Sequence, residues 1–263
     1  LPPMTAAEYI LNKQLVASGL SSAEWDVVQA GLKTRAFWSA KIEDARHLQT
    51  AQALLGDLAS SARNADGALT SRAQVVSDLM RSARGRGIAT GAGGRADPGS
   101  VERAQVIVDT NGGLAAGYAD YALGASEGAR LAYPCQELVR LSERRQKRDW
   151  KSRWEAAGGT LYDGRMVALK DDPACSRVSR FGVPYGPPDY GSGMGWRDVS
   201  REDAVALGVI GPGYMPSKEP LKDFNDALSA DLDFKGEEDP GYKWLADAFG
   251  DQIAYRKGKV MWQ

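Results

Sequence analysis

The chain has 263 residues, 43% apolar and 25% charged, with 33 basic against 34 acidic side chains and a net charge of −1. That length can bury a core without disulfides or metal, and the charge balance excludes a global basic field, so any nucleic-acid binding must rest on a local patch. One His and two Cys cannot assemble the common Cys/His zinc site without carboxylate help, and no run of about 18 apolar residues is present to span a bilayer.

The opening stretch, LPPMTAAEYI, has no basic segment and no long apolar run, so it does not read as a signal peptide. Leu1 in place of Met reads as a processed or trimmed chain. Thr5 with Glu8 and Ser21 with Glu24 carry the capping-box pattern of helix starts. Ile10, Leu11 and Leu15 share a face of the first predicted helix, and Trp25, Val28 and Leu32 share one on the second. Phe37, Trp38, Ile42, Ala45, Leu48, Leu55, Leu58 and Ala62 then fit one long helical stripe. The turn residues NADG at 64–67 end it. Ser71 with Gln74 starts another helix, with Val75, Val76, Leu79 and Met80 on its apolar side.

Residues 84–100, RGRGIATGAGGRADPGS, hold six glycines and a proline and read as a mobile linker. No lysine follows at P-loop spacing, and the preceding SDLMRSAR reads as helix rather than strand, against a phosphate-cradling loop. Its arginines Arg84, Arg86 and Arg95 read as solvated, with contact to a phosphate backbone as the alternative. Ser100 is the expected cap of a long central helix through about residue 129, with QVIVDT as a strand the alternative. Its many small residues suggest close packing on a neighbour.

From residue 134 the pattern changes. QELVRL (136–141) alternates as a strand does. RDWKSRWEAAGG (148–159) reads as a short helix stopped by two glycines, and TLYDGRMVAL (160–169) as a hairpin turning on Asp-Gly. Asp171, Asp172 and Pro173 form a turn, with a divalent cation at the two carboxylates as a minor alternative. Residues 181–200 hold five glycines and three prolines together with Phe181, Tyr185, Tyr190 and Trp196. This composition reads as a loop pinned to the core by its aromatic rings. Ser200 with Asp203 caps a further short helix. Between Glu219 and Asp251 there are ten acidic and three basic residues, a tail that covers a partner or its own core, or is solvated. KWLADAF (243–249) reads as an amphipathic helix within it.

The expected fold class is α+β: a helical N-terminal half followed by a compact mixed α/β part with short strands. The expected divisions are a helical domain 1–84, a Gly-rich linker 85–99, a central helix plus α+β domain 100–210, and an acidic C-terminal extension 211–263. Cys135 and Cys175 read as small buried hydrophobes, and two isolated thiols fit a reducing compartment. No G-x-S-x-G motif occurs, and His47 sits mid-pattern in a predicted helix. No catalytic constellation, metal site or cofactor site is assigned.

One cluster stands out. Arg140, Arg144, Arg145, Lys147, Arg148, Lys151 and Arg153 lie close together against Glu143 and Asp149, with Trp150 among them and Trp154 beside them. Basic residues interleaved with aromatics can hold a nucleic-acid backbone while bases stack. They can also meet an acidic protein surface. In the third reading the tryptophans are core and the cations are solvated or paired with the acidic tail.

The order of features over residues 20–210 resembles the phage head-morphogenesis family, the Mu F-type minor head proteins. The resemblance is carried by GLSSAEWDVVQAGLKTRAFWSAKIEDARHLQTAQALLGDL, by VIVDTNGGLAAGYADY as the central helix, and by the succession QELVRLSERRQKRDW, YDGRMVALKDDP and PYGPPDYGSGMG. It implies a virion structural component, in the capsid interior or portal region and in the host cytoplasm during assembly. The implied partners are portal, coat or scaffold proteins, with double-stranded DNA as a further candidate, no membrane, and roles in capsid assembly and DNA packaging or ejection. Many members carry a His after the Arg-containing loop and Cys-x-Cys after the Pro-Pro loop. Here Arg148-Asp149-Trp150 and Asp189-Tyr190-Gly191 stand in those places, which implies that any metal site of relatives is lost. The alternatives are a nucleic-acid-binding protein and a toxin-linked enzyme domain of the same fold.

Overall fold

The computed structural model describes residues 5–26, 30–61, 69–144, 147–217, 229–230, 238, 242–243, 246–247, 250–256 and 259–262. The fold is of the mixed α+β class, and it divides into two compact units. One contains Ala6–Gly112 together with Asp223–Gln263, the other Gly113–Lys222 together with the first five residues.

In the first unit α1 (Ala6–Leu11) leads to β1 (Gln14–Val16), then α2 (Ser22–Asp26), α3 (Ala30–Arg35) and β2 (Ala36–Trp38). β1 and β2 pair in parallel, Leu15 opposite Phe37, with two helices forming the crossover that a parallel pair requires. Leu15 is therefore a strand residue and not part of the first helix. The stripe expected from Phe37 to Ala62 is broken as well. Lys41 takes a left-handed φ of 56°, its N–H bonds Leu20 O, and Ile42 bridges to Ser18, so the chain turns before α4 (Ala45–Ala59) begins. Trp25 stacks on Trp38 with ring centroids 4.5 Å apart, and the Trp38 indole N–H reaches Ser18 Oγ. Val28 and Ala62 lie outside the described residues. Ser21 and Glu24 form the reciprocal capping box.

Three side chains tie these short elements together. Gln52 Nε2 donates to Ile10 O and Lys13 O, satisfying carbonyls left over at the end of α1. His47, 1% exposed on α4, meets Ser82 Oγ of α5 (Arg72–Gly85) through Nδ1 at 3.0 Å. Arg103 of α6 (Val101–Leu123) donates to Ser39 Oγ and Ala40 O. Lys13 is buried with its ammonium 4.2 Å from the Tyr9 ring, and burial pushes its pKa down to about 7.

The stretch expected as a mobile linker, 85–99, is a folded loop inside this unit. Its organiser is the buried Asp97, whose carboxylate accepts N–H groups from Thr90, Gly93 and Gly99 at 2.9–3.0 Å. Those bonds, Gly99's first, hold its pKa down at about 2. Arg84 donates to Gly99 O and Arg86 pairs with Asp44, so these two cations are engaged rather than only solvated. The division between units falls within α6, at Gly112–Gly113. The helix reading of QVIVDT and the Ser100 cap both hold. Of the tail, β7 (Ser229–Ala230), β8 (Ile253–Arg256) and β9 (Lys259–Trp262) form an antiparallel sheet in the order β7-β9-β8. Most of KWLADAF lies outside the described residues.

The second unit is built on a four-stranded antiparallel sheet of β3 (Cys135–Arg140), β4 (Leu161–Tyr162), β5 (Arg165–Leu169) and β6 (Met194–Val199), in the order β4-β5-β3-β6. The β4–β5 hairpin turns on Asp163 (φ 49°) and Gly164 (φ 73°), the paired left-handed residues that suit the strand twist. Period-two alternation splits β5 between two cores. Met166 and Ala168 join Leu138, Trp150 and Trp154 on one face, while Val167 joins Cys135, Val199, Ala204 and Ile210 on the other. Around this sheet lie α7 (Glu127–Ala132), α8 (Trp150–Ala156), α9 (Pro173–Arg177) and α10 (Arg201–Ala206). Among the described residues, no helix is long and apolar enough to cross a membrane.

Residues 194–199 correct the loop reading of the 181–200 segment. They are strand β6, paired along the whole of β3 despite Gly195. The remainder is an irregular segment seated on α6. Tyr185 packs between Tyr118 and Tyr121, both centroids 5.4 Å away, and Phe181 meets Tyr190 edge-on at 5.0 Å. Gly186 (φ 67°) lies so near the helix that a Cβ on it would meet Leu114 Cα at 2.9 Å, and a Cβ on Gly117 would collide with Gly186 backbone. This is the close helix packing that the small residues of α6 imply.

Candidate functional site

The basic cluster is organised by α8. Asp149 caps the helix, accepting Ser152 N–H at 3.0 Å and Ser152 O–H at 2.6 Å, and the Ser152 hydroxyl bond, ahead of the backbone one, lowers its pKa. Trp150 and Trp154, one helical turn apart, point into the core and are 4% and 0% exposed. Trp154 Nε1 donates to Thr160 O at 2.8 Å, whereas Trp150 Nε1 is buried with no acceptor. A tryptophan this buried offers no face to a stacked base, which corrects Trp150 as a binding candidate.

Arg153 of α8, Arg148 just before its cap and Arg180 just after α9 converge on one carboxylate. Asp189, with 9% of its side chain exposed, lies after Pro187-Pro188. Its Oδ2 is 3.3 Å from Arg148 Nη1 and 3.2 Å from Arg153 Nη1, and its Oδ1 is 3.6 Å from Arg180 Nη1. Oδ1 also accepts the Tyr190 N–H at 2.8 Å. Arg148 Nη2 donates to Tyr190 O, and Arg180 N–H to Pro188 O. The guanidinium of Arg153 lies 5.0 Å over the Trp150 ring, and that of Arg180 lies 5.2 Å over Tyr190. Three guanidiniums thus clamp the Pro-Pro loop through one nearly buried carboxylate.

The other candidates scatter. Arg140 ends β3, half-buried, with Nη1 enclosed and lacking a hydrogen-bond partner. Arg144 and Lys151 are exposed, and Lys147 pairs with Glu143 at 2.8 Å on the surface. Arg145 lies outside the described residues. The structure therefore joins Arg148 and Arg153 into a site and adds Asp189 and Arg180. A signal for Asp189 was present: within 181–196 it is the one charged residue. A lone carboxylate in a neutral, aromatic loop needs a partner wherever that loop is packed.

Two further ionic groups serve the sheet and the Asp-Pro step. Glu137, buried on β3, accepts a bidentate fork from Arg165 (3.0 and 2.7 Å) and a bond from Arg197 (2.7 Å), and the Arg165 bonds lead in lowering its pKa. Asp172 caps α9 through Ala174 N–H, and Asp171 pairs with buried Arg130, so the Asp pair is a turn and helix start. Among the described residues, no group of three His, Cys, Asp or Glu side chains is placed to hold a metal ion.

The two thiols and the histidine are embedded. Burial pushes the thiols of Cys135 and Cys175 up to about 11 and about 12, which leaves them protonated at neutral pH. His47 is lowered, first by burial, and Asp44 bonds its backbone N–H rather than its ring. The His47–Ser82 contact is thus a helix-to-helix tie without the orienting carboxylate of a triad. No family model, curated protein or solved structure matches the chain.

Proposed function

We propose that this chain is a structural component of a phage virion, a minor head protein of the Mu F type, acting in capsid assembly through contacts with portal, coat or scaffold subunits. The observation that carries the reading is the order of elements within the second unit. Half of the central helix, the strand ending at Arg140, the Arg-bearing approach to α8, the Asp163-Gly164 hairpin, the Asp172-Pro173 helix start and the Pro187-Pro188 loop follow one another there, the order on which the resemblance rests. The strand and the hairpin belong to one sheet.

The loop chemistry supports the same reading. Where members of the resembled family carry His and Cys, this chain has the Asp189 clamp, which holds the loop by ion pairs. The two thiols and His47 are engaged in packing, as suits a part that works by its surfaces. Deleting the gene from a phage that carries it tests the proposal. Heads that fail to assemble, package or eject, with rescue by the gene in trans, are expected. Particles of normal yield and infectivity would overturn it.

A further inference from the structure

The geometry points to the turn at residues 190–194 as the seat of a small oxyanion, a phosphate group, with Arg140 as its anchor and Arg144 and Arg148 beside it. The three arginines reach that turn by different routes. Arg140 stands opposite Met194 in the β3–β6 ladder, and the next two residues, Leu141 and Ser142, both donate their N–H groups to Gly193 O. Arg144 lies along Gly193, where a Cβ would meet its Nε at 3.1 Å. Arg148 donates to Tyr190 O at 2.9 Å.

Donors outnumber acceptors here. Arg140 Nη1 is buried with no hydrogen-bond partner, and so is Arg148 Nη1, which lies 3.3 Å from Asp189 Oδ2 without hydrogen-bonding to it. Strand alternation puts Arg140 on the face of the sheet that carries Leu138 and Met194. Trp150 and Trp196 pack on that same face, and their indole N–H groups are buried without acceptors as well. Buried donors are nearly always bonded, and an unsatisfied one is costly. Charge is unmatched too. Arg140 and Arg144 form no ion pair among the described residues. The acidic group whose charge reaches Arg140 is Glu143, which is 74% exposed and bonded to Lys147 at 2.8 Å. Arg148, engaged at Asp189, contributes a donor and no free charge. Arg140 is half-buried and Arg144 exposed, so a ligand reaches both from solvent. A phosphate group supplies what the face lacks, negative charge and several acceptor oxygens, in the geometry that a guanidinium fork grips. The site is independent of the phage-head reading, because it belongs to the free protein.

The test is calorimetric titration of the full chain with inorganic phosphate, and separately with a nucleoside monophosphate, in a non-phosphate buffer at fixed ionic strength. The expected result is saturable binding of one or both that weakens about tenfold in Arg140→Gln and further in Arg140→Gln/Arg144→Gln. Arg140→Lys keeps the charge but loses the fork, so it should weaken binding comparably. Lys151→Gln, at an exposed cation on α8, should leave binding unchanged. Thermal unfolding checks that each variant is folded and gives a second reading that a merely structural role would not. The ligand should raise the unfolding temperature of the wild-type chain and not that of the folded double variant. Tighter binding of the nucleoside monophosphate supports a phosphate monoester as the ligand, and equal or tighter binding of inorganic phosphate supports the free ion. Absence of saturable binding of both by the wild-type chain would overturn the inference. So would full binding by folded Arg140→Gln or Arg140→Lys, or an equal loss in Lys151→Gln, which would mark the attraction as diffuse.

Discussion

The Asp189 clamp sets a measurable stability difference. Asp189→Asn keeps the side-chain shape and removes the charge that three guanidiniums share at 3.2–3.6 Å. Removing one partner of a fully buried ion pair costs about 3–5 kcal/mol. The carboxylate is nearly buried, but the arginine side chains are 34–48% exposed, and water screens their side of the pair. A discount of about half leaves roughly 2 kcal/mol. For a unit of this size that corresponds to a fall of about 10 °C in unfolding temperature. Circular dichroism melts in low salt would show it, with Glu143→Gln as the comparison. Glu143 and Lys147 are 74% and 61% exposed, so losing that pair should leave the melt essentially unchanged. If Asp189→Asn and Glu143→Gln melted alike, the clamp would not be holding the loop.

Other outcomes follow from the same geometry. Gly186→Ala forces a Cβ into a left-handed backbone and against Leu114 Cα, and should cost at least about 2 kcal/mol by denaturant unfolding. Trp154→Phe loses the indole bond to Thr160 O, whereas Trp150→Phe removes a donor that already lacks an acceptor, so the first should destabilise by about 1 kcal/mol more than the second. Lys13 titrates near 7 when folded and 10.5 in the reference state. Between these values the unfolded chain binds the proton more tightly, so stability falls as pH drops from 10.5 towards 7. Lys13→Met should abolish that slope and stabilise the first unit at neutral pH, less the loss of the ammonium contact with the Tyr9 ring. Asp97 has the opposite charge type: its contribution is present above its reference value of 3.8 and is lost as pH falls through about 2. Amide exchange at Thr90, Gly93 and Gly99 should speed up selectively in that acid window, beyond the intrinsic dependence of exchange on pH.

What was legible in the sequence was local. The Asp163-Gly164 turn, the Ser71, Ser100 and Ser200 caps and the Asp172-Pro173 start depend on residues within four positions of one another. Period-two alternation located β3 for the same reason. The misread elements depend on distant partners. Glycine density argued against a strand at 194–199, yet β3, more than fifty residues earlier, supplies its ladder. The apolar spacing from Phe37 onward fits a helix, but β1 recruits Ala36–Trp38 in parallel. For the site, a run of basic residues was visible, while its counter-charge lay 36 residues beyond Arg153 in a loop of neutral composition. Asp97 was hidden in a similar way: six glycines suggest mobility unless one carboxylate gathers N–H groups from both ends of the run, here those of Thr90, Gly93 and Gly99.

The most direct test of the central claim is mass spectrometry of purified virions and procapsids from a phage that encodes this chain, with copy number measured against coat protein. The account predicts a low, fixed copy number in the assembled head. Absence of the chain from every particle form would contradict it.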